Sequence, residues 1–600
     1  MKLADLEGQA REILQCYEFP KAAMLPLLWL VQQNQGHITP ESEAWVGGIL
    51  GVARSHVHEV VTFYNMYHAE PVGRRELRVC TSLPCLLRGG NELLAQLQEE
   101  LGIKPGETTP DGKVTLTEVE CLCACEMAPM AQLDERFVGP LQGGIVDSLL
   151  QDARAEPSAA GATPEPDPYI DSDGPVLSTR LGNPGGVWLQ EYIAGGGYSA
   201  AGKVLASMTP AQVIERVSAA NLLGLGGAGF PAGRKWSFVP KGGDKPVYLV
   251  VNADEGEPGT FKDRYIMERD PHALLEGMLI AAYAIGSHKS YVYIRGEYFR
   301  SAHRLQRAIN EAHQAGWLGA DIQGSGFDLE VVIHRGAGAY ICGEETALLT
   351  SLEGGKGFPR LKPPFPAISG LFACPTIVNN VETLACVPFI LREGAERFAA
   401  IGTERQGGTR LFCVSGHVVR PGVYEAPVSV TLRQLIEEHA GGIRDGNRLK
   451  AVIPGGISAK ILTAEEIDVA MDFDSLMAAG SMAGSGGVIV MDETTCIVGA
   501  LESAAKFFAE ESCGQCSPCR EGTDWVHRIL RRITAGEGRL QDLDDLLAIA
   551  SDMEGNTICV FADAAAWPIQ SYIGKFRDEF EEYIRSGRRA ESMEAAACLS

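Results

Sequence analysis

Nothing in the 600-residue chain approaches the roughly eighteen consecutive apolar residues that a membrane span requires, so no direct membrane insertion is expected. Basic charge is also scarce. With 52 Lys and Arg against 77 Asp and Glu, the net charge is −25 at pH 7, a field that repels nucleic acid and anionic lipid. The opening Met1-Lys2-Leu3-Ala4-Asp5-Leu6-Glu7 carries acids where a secretory signal has its apolar stretch, so the cytoplasm is the expected compartment. No internal repeat period is evident, which argues against a solenoid. Cysteine, by contrast, is plentiful. Sixteen in such a chain favour metal ligation over disulfides, because a reducing compartment keeps thiols available as ligands.

The length implies about three to five domains. Helical periodicity runs over residues 1–75, with segments at Lys21–Gln33 and Pro40–Leu50. Residues 76–151 read as a small α/β layer, with strands at Leu77–Thr81 and Val114–Val119 and a helix at Asn91–Leu101. A Pro-, Ala- and acid-rich stretch without periodicity, 152–178, is expected to be a solvated linker. Residues 179–405 alternate strands (Pro246–Val251, Ser290–Ile294, Leu329–His334) with helices such as His272–Ile285, the signature of a larger α/β domain. A β-rich insert is expected at 406–492, and helices at 493–600.

Two cysteine sets carry chemistry. Cys80 and Cys85 (C-x4-C) end one predicted strand, and Cys121 and Cys125 (C-x3-C) follow another. Two loops at one sheet edge could thus bring four thiolates together for a [2Fe–2S] centre. Zinc is the rival, although a four-residue gap is wide for a zinc pair. Cys123, between two of these positions, is a further candidate that spacing alone leaves open. The second set, Cys513-Gly514-Gln515-Cys516-Ser517-Pro518-Cys519, is C-x2-C-x2-C, a strong signal for a [4Fe–4S] cube, with Cys559 as the nearest candidate for a fourth ligand. Cys496 and Cys598 are expected to be structural or incidental.

Three glycine-bearing segments follow. Gly224-Leu225-Gly226-Gly227-Ala228-Gly229 matches G-x-G-x-x-G, but a helix predicted at Thr209–Leu223 leads into it where a dinucleotide fingerprint needs a strand. A turn and a phosphate- or ring-approaching loop both remain open there. The segment 336–345 lies between a predicted strand and a predicted helix at Thr346–Leu352, the phosphate-binding order. Residues 252–260 (NADEGEPGT) follow a strand with acceptors suited to ribityl or ribose hydroxyls. A hydride donor gives two electrons together and an iron–sulfur cluster takes one, so a chain that joins both needs a carrier stable in either mode, which is what a flavin supplies.

The segments GLGGAGFPAGRKW (224–236), NADEGEPGTFKDR (252–264), GAGAYICGEETALLTSLEG (336–354), TIVNNVET (376–383) and ESCGQCSPCREG (511–522) resemble the flavin-bearing 51 kDa-type subunit of respiratory complex I. Residues 1–150, with C-x4-C and ECLCAC, resemble its 24 kDa-type partner, so the chain looks like a fusion of a NuoE-type and a NuoF-type subunit. The resemblance implies a multidomain α/β fold: N-terminal helices and a thioredoxin-like domain, a Rossmann-like FMN/NADH domain, a β-grasp (SLBB-like) insert and a C-terminal helical bundle. It implies FMN on Gly224, Gly226, Lys235, Asn252, Asp254, Tyr340, Gly343, Glu344, Val378, Asn379, Asn380 and Thr383. NADH would contact Phe230, Lys235, Glu257, Glu345 and Phe365, with Phe365 stacking on adenine. No general acid or base is implied, since flavin takes hydride directly. The implied clusters are [2Fe–2S] on Cys80, Cys85, Cys121 and Cys125, and [4Fe–4S] on Cys513, Cys516, Cys519 and Cys559. Two departures stand out: Leu225 replaces a usual arginine and Cys123 a usual glycine.

The implied activity is that of an NADH:quinone oxidoreductase subunit: hydride transfer from NADH to FMN, then single electrons to the clusters. The implied partners are a NuoG-like iron–sulfur subunit and the rest of a complex I peripheral arm, which would hold the chain at the inner membrane through other subunits. The same module serves as diaphorase in soluble NAD-dependent hydrogenases and formate dehydrogenases. A non-catalytic iron–sulfur relay or assembly protein is a third reading.

Overall fold

A computed structural model describes residues 2–156, 168–171 and 174–587. Cys598 lies outside them. The first expected helices form, at Met24–Gln35 and at Pro40–Leu50. The second starts where the sequence dictates: Pro40 takes the first helical position, Thr39 Oγ1 accepts from Ser42 N at 3.1 Å, and Gly51 ends the helix at φ +68°.

Four strands follow: β1 (Arg75–Cys80), β2 (Val114–Val119), β3 (Ala131–Leu133) and β4 (Arg136–Val138). They form one sheet in the order β2-β1-β3-β4. β1 and β2 are parallel, with Cys80 opposite Val119, so both cysteine loops leave the same end of the sheet. The helix Gly90–Leu101 buries Leu93, Leu94, Leu97 and Leu101 in the core of this layer.

The expected linker is only partly a connector. β5 (Tyr169–Ile170) adds a parallel edge strand beside Gly422–Val423. Just beyond it, the buried Glu425 carboxylate accepts from the backbone N–H groups of Val176, Leu177 and Ser178 at 2.9, 2.9 and 2.6 Å. Pairing with residues some 250 positions away overrode a composition that alone reads as solvated chain.

β6 (Val247–Ala253), β7 (Ser287–Ile294), β8 (Glu330–Arg335) and β9 (Thr376–Asn380) form a fully parallel sheet in the order β8-β7-β6-β9. Runs such as Tyr248–Val251 and Tyr291–Ile294 are buried throughout, as strands covered on both faces must be. The chain steps outward from β6 to β8 and returns to pair β9 on the other side of β6. The carboxyl ends of β6 and β9 therefore flank a topological switch point, where open α/β sheets form their ligand crevice.

The strands β10 (Thr409–Gly416), β11 (Gly422–Pro427), β12 (Leu449–Ile453), β13 (Leu462–Thr463) and β14 (Gly487–Asp492) join β5 in a six-stranded mixed sheet, β13-β12-β14-β10-β11-β5. Helices Ile497–Glu511, Ser517–Arg532, Gln541–Met553 and Phe561–Ser586 complete the described chain as a bundle. Among the described residues no helix is long and apolar enough to cross a membrane.

The N-terminal helices pack against the large parallel sheet. Trp29 Nε1 donates to Gly336 O at 3.0 Å, Asn65 N and Met66 N to Gly338 O and Ala337 O at 3.2 and 3.0 Å, and Tyr64 OH to Ser351 Oγ at 2.6 Å. The beginning of the chain thus braces the glycine loop of the large α/β layer.

Candidate functional site

The switch point gathers most of the predicted flavin residues. Asn252 Nδ2 donates to Gly343 O at 2.8 Å, which ties the β6 end to the loop after β8. Gly224 N donates to Phe230 O at 2.9 Å and Gly229 N to Gly224 O at 3.2 Å, closing the first glycine loop on itself. Gly226 lies so near β9 that a Cβ there would stand 2.9 Å from Asn380 Cβ. The helix before this loop is Pro210–Ala219, shorter than expected, because Asn221 turns into the left-handed region at φ +52°.

Asp254 is the acceptor left over. Its Oδ2 is sealed from solvent without a hydrogen-bond partner, and burial holds its carboxyl well above the usual range, with Arg295 partly offsetting. A buried oxygen of this kind costs free energy until a donor arrives. The ribityl chain of FMN carries such hydroxyls, so the residues present fit that group.

Other predicted contacts are differently engaged. Asn379 Oδ1 accepts from Trp236 Nε1 at 2.8 Å, Asn380 Nδ2 donates to Asp263 Oδ2 at 2.6 Å, and Thr383 Oγ1 accepts from Leu225 N at 2.8 Å. Val378 is buried inside β9. These side chains shape the wall of the switch point. In the segment 336–345, Glu344 caps the helix Glu345–Leu352, accepting from Thr346 N at 2.7 Å and Ala347 N at 2.9 Å, and pairs with Lys362 at 2.9 Å. Those two amides and that carboxylate are already used, a competition the spacing of strand, loop and helix does not reveal.

On the nucleotide side, Glu257 accepts from Tyr340 OH at 2.6 Å and from Ser458 N at 2.8 Å, and its burial raises its pKa. Glu345 pairs with Lys235 at 3.1 Å and Lys362 at 2.9 Å. Burial alone would raise the Glu345 carboxyl, but these two lysines hold it below the ordinary value. Lys362 thereby pins the segment that presents Phe365, which is 58% exposed, as Phe230 is 40% exposed. Open aromatic faces of this kind suit a stacked base. The KDR run at 262–264 proves structural: Lys262 Nζ lies buried between Asp263 and Glu382 at 2.9 and 2.7 Å, while Glu255 accepts from Asp263 N and Arg264 N.

Both cysteine sets converge. The thiol of Cys80 reaches those of Cys121 and Cys85, and Cys121 also reaches Cys125 and Cys123; all five are buried. Hydrogen bonds from Cys123, Cys125 and Cys80 pull the Cys121 thiol well below its ordinary pKa. Cys513, Cys516, Cys519 and Cys559 line one pocket with Ile341 and Phe561. Burial pushes Cys519 to about 11 and Cys559 to about 12. Tyr340 contacts Phe507 and Phe561, with ring centroids 5.0 and 5.9 Å apart, so an aromatic contact runs from the glycine loop to the second set. Among the described residues no three His, Cys, Asp or Glu side chains are grouped as they would be around a single metal ion. Cys496 is buried at the start of the helix Ile497–Glu511.

Sequence reasoning missed Ser458, Arg295 and Glu511, which come from distant segments. Arg295 donates to Cys121 O at 2.5 Å and to Glu255 O at 3.2 Å, and Glu511 accepts from Tyr340 N at 2.9 Å. The acid before Ser512-Cys513 was visible in the sequence, but its partner was not.

Four family models match: a thioredoxin-like [2Fe–2S] ferredoxin over residues 10–154, the Nuo51 FMN-binding domain over 217–389, an SLBB domain over 410–490 and the NADH-ubiquinone oxidoreductase-F iron–sulfur binding region over 499–583. The expected fold class and the FMN, [2Fe–2S] and [4Fe–4S] modules are thereby borne out. The F-type subunit 2 of NADH-quinone oxidoreductase from Rhizobium meliloti is 56% identical over 414 residues, 69% of this chain and 98% of that protein. Its F-type counterpart from Rickettsia typhi is 55% identical over 375 residues, 62% of this chain and 89% of that protein. A chain of NAD+-reducing [NiFe]-hydrogenase, solved in the H2-reduced state, superposes with TM-score 0.83 at 31% identity, covering 93% of this chain and 92% of that one. The flavin, cluster and glycine-loop segments together place this chain in the family of NADH-quinone oxidoreductase F-type subunits, joined in one polypeptide to a thioredoxin-like [2Fe–2S] ferredoxin module.

Proposed function

We propose that the chain is an NADH dehydrogenase module, accepting hydride from NADH and delivering single electrons to two clusters that its own cysteines hold. The carrying observation is the orphaned Asp254 carboxylate at the switch point, in a layer whose glycine loop touches the pocket of the second cysteine set. Bound FMN supplies the change from two-electron to one-electron transfer. The chain's own residues do the rest. Asp254 accepts a ribityl hydroxyl, and Gly226 lets the loop backbone approach the ring. The Glu257, Tyr340 and Ser458 hydrogen bonds fix the wall beside which nicotinamide lies. Phe230 and Phe365 offer faces for adenine. Cys80, Cys85, Cys121 and Cys125 hold the [2Fe–2S] cluster, and Cys513, Cys516, Cys519 and Cys559 the [4Fe–4S] cluster.

The partner is a NuoG-like iron–sulfur subunit of a complex I peripheral arm that leads to quinone reduction, with the membrane reached through other subunits. A second reading, the diaphorase of an NAD-dependent hydrogenase, draws support from the hydrogenase chain that matches both parts of this fusion along 92% of its length. Purified chain loaded with FMN, iron and sulfide should oxidise NADH with ferricyanide as acceptor; failure to do so overturns the enzyme reading. Subunits that co-purify from the native host separate the two assemblies: a quinone-reducing membrane arm supports the first, a nickel–iron subunit the second.

A further inference from the structure

Cys80, Cys85, Cys121 and Cys125 contact one another through Cys121 and Cys80, and Cys123, like Cys125, is hydrogen-bonded to Cys121, with the Cys121 and Cys123 sulfurs 3.5 Å apart. The Cys123 Sγ otherwise faces Glu257 O at 3.6 Å. The residue is fully buried, and Arg295 and Tyr298 hold its loop from outside, by Arg295 Nη2 to Cys121 O at 2.5 Å and Tyr298 OH to Cys123 O at 3.4 Å. Its backbone sits at φ +48°, where a side chain costs energy that glycine would not. The position therefore keeps a Cβ and a thiol against a backbone preference.

We propose that Cys123 is a positioning residue for the [2Fe–2S] centre: it is not a ligand but donates an S–H···S hydrogen bond to Cys121 and so raises the cluster's reduction potential. This rests on reading Cys80, Cys85, Cys121 and Cys125 as the ligands. The thiol has one proton and two acceptors in reach, the Cys121 sulfur and the Glu257 carbonyl. Once Cys121 is a cluster thiolate it carries charge, and a charged acceptor outcompetes a neutral carbonyl. Donation to a ligand sulfur favours the more negative, reduced cluster. The Cys123 backbone N–H already points at Cys121 Sγ from 3.3 Å, so the side chain adds a second donor to the same sulfur.

The test compares full-length wild type with C123G and C123S in an EPR-monitored dithionite titration, with iron and sulfide content measured alongside. Glycine suits φ +48° and keeps the backbone N–H donor, so C123G removes the S–H alone. The expected result is full cluster content and an unchanged rhombic signal in C123G. At fixed ambient potential its reduced-to-oxidised ratio falls about fivefold, about 40 mV lower at 59 mV per tenfold change. C123S, which restores a donor, returns toward wild type. An unchanged potential in C123G overturns the proposal, and so does a C123S variant that tracks C123G. Loss of the cluster in C123G makes Cys123 a ligand and overturns it differently. The ligand reading fails separately, if C80S keeps a complete [2Fe–2S] signal.

Discussion

Replacing Asp254 with alanine should move two quantities in opposite directions. In the flavin-free protein its Oδ2 is buried and unpartnered, which costs about 1–3 kcal/mol. Deleting the carboxylate removes that cost, so flavin-free D254A should be no less stable than wild type and up to about 2 kcal/mol more stable. FMN binding should weaken, because leaving a buried hydroxyl without its acceptor costs about 1–3 kcal/mol, roughly a 5- to 150-fold rise in Kd. Urea unfolding of flavin-free protein and flavin-fluorescence titration read the two effects on the same preparations. D254N, which keeps a carbonyl acceptor in the same place, should fall between. An unchanged Kd would refute the acceptor role, and a destabilised flavin-free D254A would show that the carboxylate has a structural partner instead.

Three further outcomes follow from the packing. C559S should leave acid-labile sulfide equal to one [2Fe–2S] cluster and abolish the [4Fe–4S] EPR signal while FMN content holds, because Cys559 lines the pocket of Cys513, Cys516 and Cys519. G226A should lose flavin and about 1–3 kcal/mol of stability from its clash with Asn380, whereas G243A, with nothing within 4 Å of its Cβ, should melt like wild type. His334, buried beneath Tyr17 OH at 2.8 Å, is held neutral by burial, its pKa lowered to about 3. Between there and the ordinary value near 6.5 the unfolded chain binds a proton that the native one refuses. Stability should therefore fall as pH drops from about 6.5 toward 3, by at most about 5 kcal/mol from this residue. H334N should flatten that part of the profile in pH-dependent urea unfolding.

The sequence-legible part of the molecule is its local chemistry. Val114–Val119 reads as a strand and Pro40–Leu50 as a helix from apolar spacing and the Thr39-Pro40 start, and both form at those bounds. The two cysteine pairs of the first set meet because a parallel β1–β2 pair brings Cys80 and the Val119 end together, a consequence of strand placement that spacing hinted at. What stayed hidden depends on partners distant in the chain. Tyr64 with Ser351, Glu425 with Val176–Ser178 and Arg295 with Cys121 join residues whose types carry no mark of one another. Glu344, an expected flavin contact by family resemblance, also has a local role the glycine loop does not announce: it caps the helix that follows it.

The proposed function requires one polypeptide to hold a flavin and two clusters in electronic contact. Anaerobic addition of NADH to the fully loaded chain, followed by optical and EPR spectroscopy on the same sample, tests it most directly. The flavin should bleach, and reduction should spread on to give an EPR signal from the [4Fe–4S] cluster held by Cys513, Cys516, Cys519 and Cys559. A flavin that bleaches while dithionite-reducible clusters stay fully oxidised, or one that does not bleach at all, would contradict the account.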